Sequence, residues 1–259
     1  MGIGMRGLGA VVAASWLLAA TPALAEDFRW SGRLEPGQLL EIKGVNGDVE
    51  AEAAGGDQAE VVADKHGRRD DPAEVRIEVV EHPGGVTICA VYPDRRDRNE
   101  CAPGEAGRLG SRDNDVQVDF RVRIPAGVRF AGKTVNGGIS VRDLSSDVEA
   151  TTVNGGVRVA TAGRAVARTV NGSIDARLGR ADGDEPLSFE TVNGRIEVEL
   201  PEGASAEVDA RTVNGSIDSD FPLEMRGRWS NKRASGPIGG GGRELELRTV
   251  NGSIRLRRH

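Results

Sequence analysis

Aromatic side chains are scarce: three Trp, one Tyr and five Phe serve all 259 residues. A core built without them must rely on Val, Ile, Leu and Ala, which suits a narrow stacked structure better than a wide globule. Cysteine is limited to Cys89 and Cys101, and histidine to His66, His82 and His259. No histidine stands at ligand spacing from either cysteine, so the pattern offers no zinc site and no metal-dependent chemistry. Beyond residue 25 no apolar run approaches the ~20 residues a membrane-crossing helix needs. The Gly-x-Ser-x-Gly elbow, the His-Glu-x-x-His helix and the Gly-x-x-x-x-Gly-Lys loop are all missing, and with them any catalytic or cofactor-binding motif. Gly239–Gly242 is followed by Arg243-Glu244 instead of Lys-Ser/Thr, so it reads as a flexible connection and not as a phosphate cradle. Glycine is plentiful, at 36, but keeps no three-residue period, which excludes collagen.

Residues 1–25 read as a secretory signal: Arg6, a short apolar run from Leu8 to Ala20, and the small-x-small site Ala23-Leu24-Ala25. Glu26 stands where a lipoprotein would carry Cys, so no lipid anchor is expected. Cleavage leaves 33 basic against 40 acidic side chains, an acidic balance that favours solubility and argues against a nucleic-acid binder. In an oxidising compartment the two cysteines are most simply one disulfide, Cys89–Cys101. These features point to an exported chain, periplasmic in the first instance, with the cell surface as the alternative.

The organising feature is a repeat. Thr-Val-Asn-Gly begins at Thr134, Thr152, Thr169, Thr191, Thr212 and Thr249, and Val45-Asn46-Gly47 is a weaker copy. Its asparagines are Asn46, Asn136, Asn154, Asn171, Asn193, Asn214 and Asn251, the last five following their predecessors by 18, 17, 22, 21 and 37 residues. Six and four positions before each Asn the residues are mostly apolar, as in Leu187 and Phe189; three after it the residue is always aliphatic, as in Ile174. The two inward sets are an odd number of positions apart, so an unbroken strand cannot hold them and the chain must turn at Asn-Gly. Thr and Asn are expected to point with the core set, Val to sit at the corner and Gly to permit the turn.

Two all-β architectures satisfy this phase. One is an antiparallel hairpin meander with two-residue turns, in which Arg168 would face Asp175, but Glu190 would face Glu197. The other is a single-stranded β-solenoid of short coils, with stacked Asn side chains bonding to one another between coils. The identity of the tetrapeptide favours the solenoid, because a meander has no need of it. The expected organisation is a leader at 1–25, an N-terminal β region at 26–130 that begins and caps the solenoid and carries a charged loop at 93–115, and the repeat solenoid at 131–259.

The array, together with Leu40–Val49, Val122–Val128 and Gly239–Gly242, resembles a family of bacterial exported proteins known as putative adhesins. The resemblance covers nearly the whole mature chain, although the 93–115 loop is long for it. It implies a β-solenoid of undetermined biochemical role, in a family often discussed with cell-envelope and stress functions, and brings no catalytic residues.

The function expected is a non-catalytic envelope scaffold or adhesin-like interaction protein, whose partner is an envelope protein or a glycan. One rival is a glycan-active lyase or hydrolase using outward carboxylates such as Asp175 and Asp218 with Arg177. The other is an envelope-stress sensor that binds a peptide or lipid. The candidate binding surface is Trp229 with Arg226, Arg228, Lys232 and Arg233, between the last two repeats. The basic ending Arg255, Arg257, Arg258 and His259 is expected to protect an open solenoid edge from end-to-end pairing.

Overall fold

A computed structural model describes residues 28–96, 98–179, 185–227 and 230–259. The expected leader at 1–25 lies outside the described residues, as do Arg228 and Trp229. The chain begins with β1 (Phe28–Arg33), β2 (Leu39–Lys43), β3 (Val49–Ala53) and β4 (Gln58–His66). A short 3-10 turn at Pro72–Glu74 leads to β5 (Arg76–His82), β6 (Gly85–Val91) and, across a long loop, β7 (Gln117–Ile124). Strand pairs then follow in series: β8 (Arg129–Lys133) with β9 (Ile139–Leu144), β10 (Val148–Thr151) with β11 (Val157–Thr161), β12 (Ala165–Asn171) with β13 (Ile174–Leu178), and β14 (Leu187–Asn193) with β15 (Ile196–Leu200). The chain continues through β16 (Ala206–Asn214), β17 (Ile217–Ser219), β18 (Glu224–Arg226), β19 (Lys232–Ile238), β20 (Glu244–Asn251) and β21 (Ile254–Arg258).

The repeats pair in parallel with one another, with Ala167 beside Phe189 in one sheet and Ile174 beside Ile196 in the other. That register excludes the hairpin meander and makes the fold a β-solenoid. Each coil contributes its first strand to one sheet and its second to the other, and Asn-Gly is the corner between them. Facing rows of aliphatics fill the narrow interior: Val148, Val157, Ile174, Leu187, Ile196, Leu245 and Ile254 are all 1% exposed or less.

Spatial order departs from chain order at both ends. Rungs stack as β6–β7, β2–β3, β8–β9, β10–β11, β12–β13, β14–β15, β20–β21 and β16–β17. At the far end β19 pairs antiparallel with β16, and β18 with β19; at the near end β5 covers β6, while β4 and β1 cover β7. The last repeat is therefore an interior rung, inserted between its two predecessors. This corrects the edge-protection reading of the basic ending. Arg255 pairs with Glu197 at 3.6 Å, Arg257 with Asp218 and Asp220 at 3.1 and 3.0 Å, and the Arg258 guanidinium lies 5.0 Å from the centre of the Phe221 ring. The His259 N–H donates to the Leu200 carbonyl.

At the corner, Asn side chains form one continuous amide ladder. Asn136 donates to Asn46, Asn154 to Asn136, Asn171 to Asn154, Asn193 to Asn171, Asn251 to Asn193 and Asn214 to Asn251, each at 2.8–2.9 Å. Asn46 closes one end by donating to Ser111 Oγ at 3.0 Å. The stacking expected of Asn is present, but from Asn136 onward the column faces solvent instead of the core. Thr does point inward, at 2–5% exposure, yet it does not bond to its own kind. Thr169 Oγ1 donates to the Gly155 carbonyl and Thr191 Oγ1 to the Gly172 carbonyl, both at 2.9 Å. Because the Asn ladder is water-exposed, Asn171→Ala is expected to cost only about 0.5–1.5 kcal/mol, seen as a lowered urea midpoint with an unchanged slope. A loss of several kcal/mol would place the Asn column among the buried supports.

Candidate functional site

Two outer faces flank the corner. On the second-strand sheet, a groove of about 680 Å³ runs past Glu50, Asp175, Glu197 and Glu199. Four of its carboxylates have a guanidinium partner: Arg142 on Glu50 at 3.4 Å, Arg195 on Asp175 at 2.7 Å, Arg255 on Glu197 at 3.6 Å and Arg177 on Glu199 at 3.8 Å; the fifth, Asp48, accepts from the Gly138 N–H at 2.7 Å. No aromatic side chain lines this groove to stack a sugar. Asp175 on β13 and Asp218 on β17 are three rungs apart, on the order of 14 Å at the usual strand spacing. Glycosidase carboxyl pairs stand roughly 5–9.5 Å apart, so these two are not brought together as a pair.

The other face is built from the repeat's own valine. Thr turns in and Asn lies along the ladder, which leaves Val pointing outward at the five corners from Val153 onward; Val45 is buried and Val135 half-buried. Val153, Val170, Val192, Val250 and Val213 are 37–39% exposed and follow one another on consecutive rungs. They line an open groove of about 860 Å³ together with Arg168, Arg248, Arg211, Lys232 and Arg233. Arg168, Arg211 and Arg248 occupy the position three before Asn, which alternation places on the outer side of the first-strand sheet, and Lys232 and Arg233 are added by β19. Arg248, Arg211 and Arg233 stand on adjacent strands. Glu190 is the one carboxylate among the lining residues described. Behind the row, Asp209 accepts from both Arg211 Nε at 3.0 Å and Arg233 Nε at 2.9 Å.

Two members of the sequence-derived binding surface belong to this groove. Lys232 Nζ donates to the Gly215 carbonyl at 2.8 Å, the role Thr plays on every other rung, and so closes the threonine series. Arg233 continues the basic row. Arg226 is paired with Glu224 at 3.2 Å on β18, opposite Arg233. The valine file and Arg168, Arg211 and Arg248 were not in that surface. Their signal was available in the sequence: a Val kept at a corner whose neighbours already supply turning and packing has an outward face to serve.

At the near end the same outer track is covered by the chain itself. Cys89 on β6 stands in register with Lys43 on β2, and Lys43 with Lys133 on β8, so all three share the column that later carries the arginines. Cys89 and Cys101 form a disulfide with a Cα–Cα distance of 5.7 Å. Lys43 Nζ then donates to the carbonyls of Ala102, Gly104 (2.7 Å) and Ala106 (3.2 Å). Lys133 Nζ reaches the Gly104 carbonyl at 3.2 Å and Glu105 Oε1 at 2.8 Å. Buried Glu41 accepts from the Gly104 N–H and from Thr87 Oγ1, both at 2.9 Å. Burial lowers the Lys43 ammonium below its ordinary pKa against the pull of Glu41, and the bond from Lys133 holds the Glu105 carboxyl below the usual range. Tyr92 roots the other end of the loop: its hydroxyl donates to the Val116 carbonyl at 2.8 Å, and burial pushes its pKa up to about 12. Under this loop Val45 is only 3% exposed.

The sequence matches the family model Toastrack DUF4097 over residues 38–257. Among curated proteins, none matches the chain. Solved structures similar to it include a putative cell adhesion protein from Clostridium sporogenes, at 11% identity and TM-score 0.48, covering 90% of this chain and all of that one. A putative adhesin from Bacteroides fragilis, at 11% identity and TM-score 0.36, covers 89% of this chain and 97% of its own. One from Parabacteroides distasonis, at 13% identity and TM-score 0.25, has the same coverage.

Proposed function

We propose, for a chain that belongs to the Toastrack DUF4097 family, the role of an exported, non-catalytic cell-envelope scaffold with an adhesin-like interaction surface. The observation that carries this reading is the file of five equally exposed valines beside a row of cations. A rigid solenoid presents them at a fixed spacing, and a contiguous apolar strip with a charged rim is the kind of surface that proteins reserve for partners. Export is supported by the leader pattern at 1–25 and by the Cys89–Cys101 bridge, a bond typical of oxidising compartments. The periplasm is the compartment proposed, with the cell surface as the alternative. Among the described residues no helix is long and apolar enough to cross a membrane, and no group of His, Cys, Asp or Glu could hold a metal ion.

Photo-crosslinking from Val170 and Val192 in cells, followed by fractionation, tests the proposal. The expected result is a processed chain in the envelope fraction with a discrete crosslinked partner, lost when Val153→Asp/Val250→Asp is added to the crosslinker-bearing chain and the variant folds normally. An unprocessed cytosolic chain, or a crosslinking pattern indifferent to the variant, overturns the reading. New reducing ends or unsaturated products from peptidoglycan, pectin or alginate fragments would replace it with an enzyme.

A further inference from the structure

The loop after β6 shows how the outer track holds an extended segment. Starting from the disulfide at Cys101, residues 101–105 cross three rungs in succession, those of Cys89, Lys43 and Lys133. They run along the stack, across the strands. The grip uses few chemical elements: a cation donating to backbone carbonyls, a cation meeting a carboxylate (Lys133 with Glu105), and one buried corner valine, Val45. Beyond Lys133 the track continues through Thr151, Arg168, Glu190, Arg248, Arg211 and Arg233, but the loop has turned back, with Glu100 and Arg108 paired backbone to backbone. Along this second stretch the valines are open.

We infer that the uncovered stretch binds an extended acidic peptide segment of a partner protein, laid along the stack as residues 101–105 are laid at the near end. The inference rests on the interaction role proposed above and names the chemistry of the occupant. Charge complementarity selects it. Five cations line the open groove against three carboxylates that pair with them, Glu190 with Arg168, Glu246 with Arg248 and Asp209 with both Arg211 and Arg233, which leaves the cations in excess. Long basic side chains over an apolar floor suit a chain that offers carbonyls, carboxylates and small side chains. Arginine adds a forked donor that can take a carboxylate with two parallel bonds, which the lysines under the loop cannot do. The loop itself, with Ala102-Pro103-Gly104-Glu105-Ala106, supplies the composition of such a segment.

Fluorescence anisotropy with the processed chain tests this, using a short labelled Ala/Gly/Pro peptide that carries several Glu, and its counterpart with Gln at those positions. The Glu peptide is expected to bind saturably, about tenfold more tightly than the Gln peptide, and more weakly as salt rises. Arg168→Gln/Arg248→Gln should lose about tenfold in affinity, whereas Arg168→Lys/Arg248→Lys, which keeps the charge and loses the fork, should lose about threefold. Val170→Ser/Val192→Ser should weaken binding while circular dichroism and the urea midpoint stay unchanged. Equal binding of the two peptides, no saturable binding, or association with phosphatidylglycerol vesicles in place of the peptide would overturn the inference. If the envelope crosslink from Val170 survives while the peptide fails, only the partner's chemistry is wrong. If both vanish, the interaction role falls with it.

Discussion

Removal of residues 243–259 is expected to unfold the far third of the solenoid, although the cut takes only the last repeat. In a solenoid stacked in chain order the last coil is a terminal unit, and its loss trims one rung. Here β20–β21 lies between β14–β15 and β16–β17, so the cut removes an interior rung and separates β16 from its parallel partner. Leu245, Leu247, Ile254 and Leu256 are each 1% exposed or less. At about 1.5–3 kcal/mol for each buried aliphatic side chain, the deletion forfeits on the order of 6–12 kcal/mol of apolar burial before any strand pairing is considered. That is comparable to the whole stability of an ordinary domain. Limited proteolysis should cut the truncated chain within residues 201–242 while sparing β8–β13, and the thermal transition should broaden or split. A truncated chain that melts as one cooperative unit close to the full chain's temperature would show that β16–β17 docks directly on β14–β15.

Gly172→Ala is expected to cost about 4–5 kcal/mol, unusually large for a single added methyl group at a corner. A Cβ built on Gly172 lies 1.9 Å from the Gly155 carbonyl oxygen and 2.5 Å from its carbon. The same oxygen accepts the bond from Thr169, so it cannot retreat without breaking that support. The neighbouring rungs repeat the contact: Gly155 against the Gly137 oxygen at 2.0 Å and Gly194 against the Gly172 oxygen at 1.9 Å. Inserting the methyl must therefore force two rungs apart. Gly203→Ala is the control, since nothing lies within 4 Å of its Cβ, and it should change stability by no more than about 0.5 kcal/mol. Urea unfolding of the two variants measures the difference. Equal midpoints would mean that the corner relaxes freely and that the glycine column is not a packing constraint.

That glycine shows where reading the sequence reaches its limit. The repeat marks the corner, and Asn-Gly suggests a glycine needed for a left-handed turn. Of the seven corner glycines, Gly47 alone has a positive φ, at 119°. The others are glycine because the next rung's backbone passes too close for a side chain, a contact with a residue 17 or more positions away that no local rule contains. Thr is a similar case: its inward direction follows from alternation, but its partner, a glycine carbonyl on the adjacent rung, depends on the stack.

The order of the last rungs left a fainter mark. Five residues after Asn, the interior rungs carry Val141, Val159, Ala176, Val198 and Leu256, whereas the copy at Asn214 carries Ser219, and its Ile217 is only half-buried. A polar residue in the inward set suits a terminal rung, and the fully apolar Leu245–Leu256 set suits an interior one. The 37-residue gap before Asn251 is long enough for the chain to build β18–β19 and return. The open groove was legible in the same partial way, through a valine in every copy and arginines three residues before Asn at 168, 211 and 248.

By itself the sequence determined the unit. Alternation with an odd offset forces a turn at each Asn-Gly, and near-identical copies stack in register because each buries its neighbour's apolar face. Tertiary structure alone decided which copy lies beside which, and therefore which surface remains open. Parallel rungs are interchangeable in their hydrogen bonding, so their order rests on long-range fit: a weak rung at the end, a strong one inside it. At the end carrying the loop pinned by Cys101 the corner valine, Val45, is buried, and five exposed valines and a row of cations remain where that cover stops.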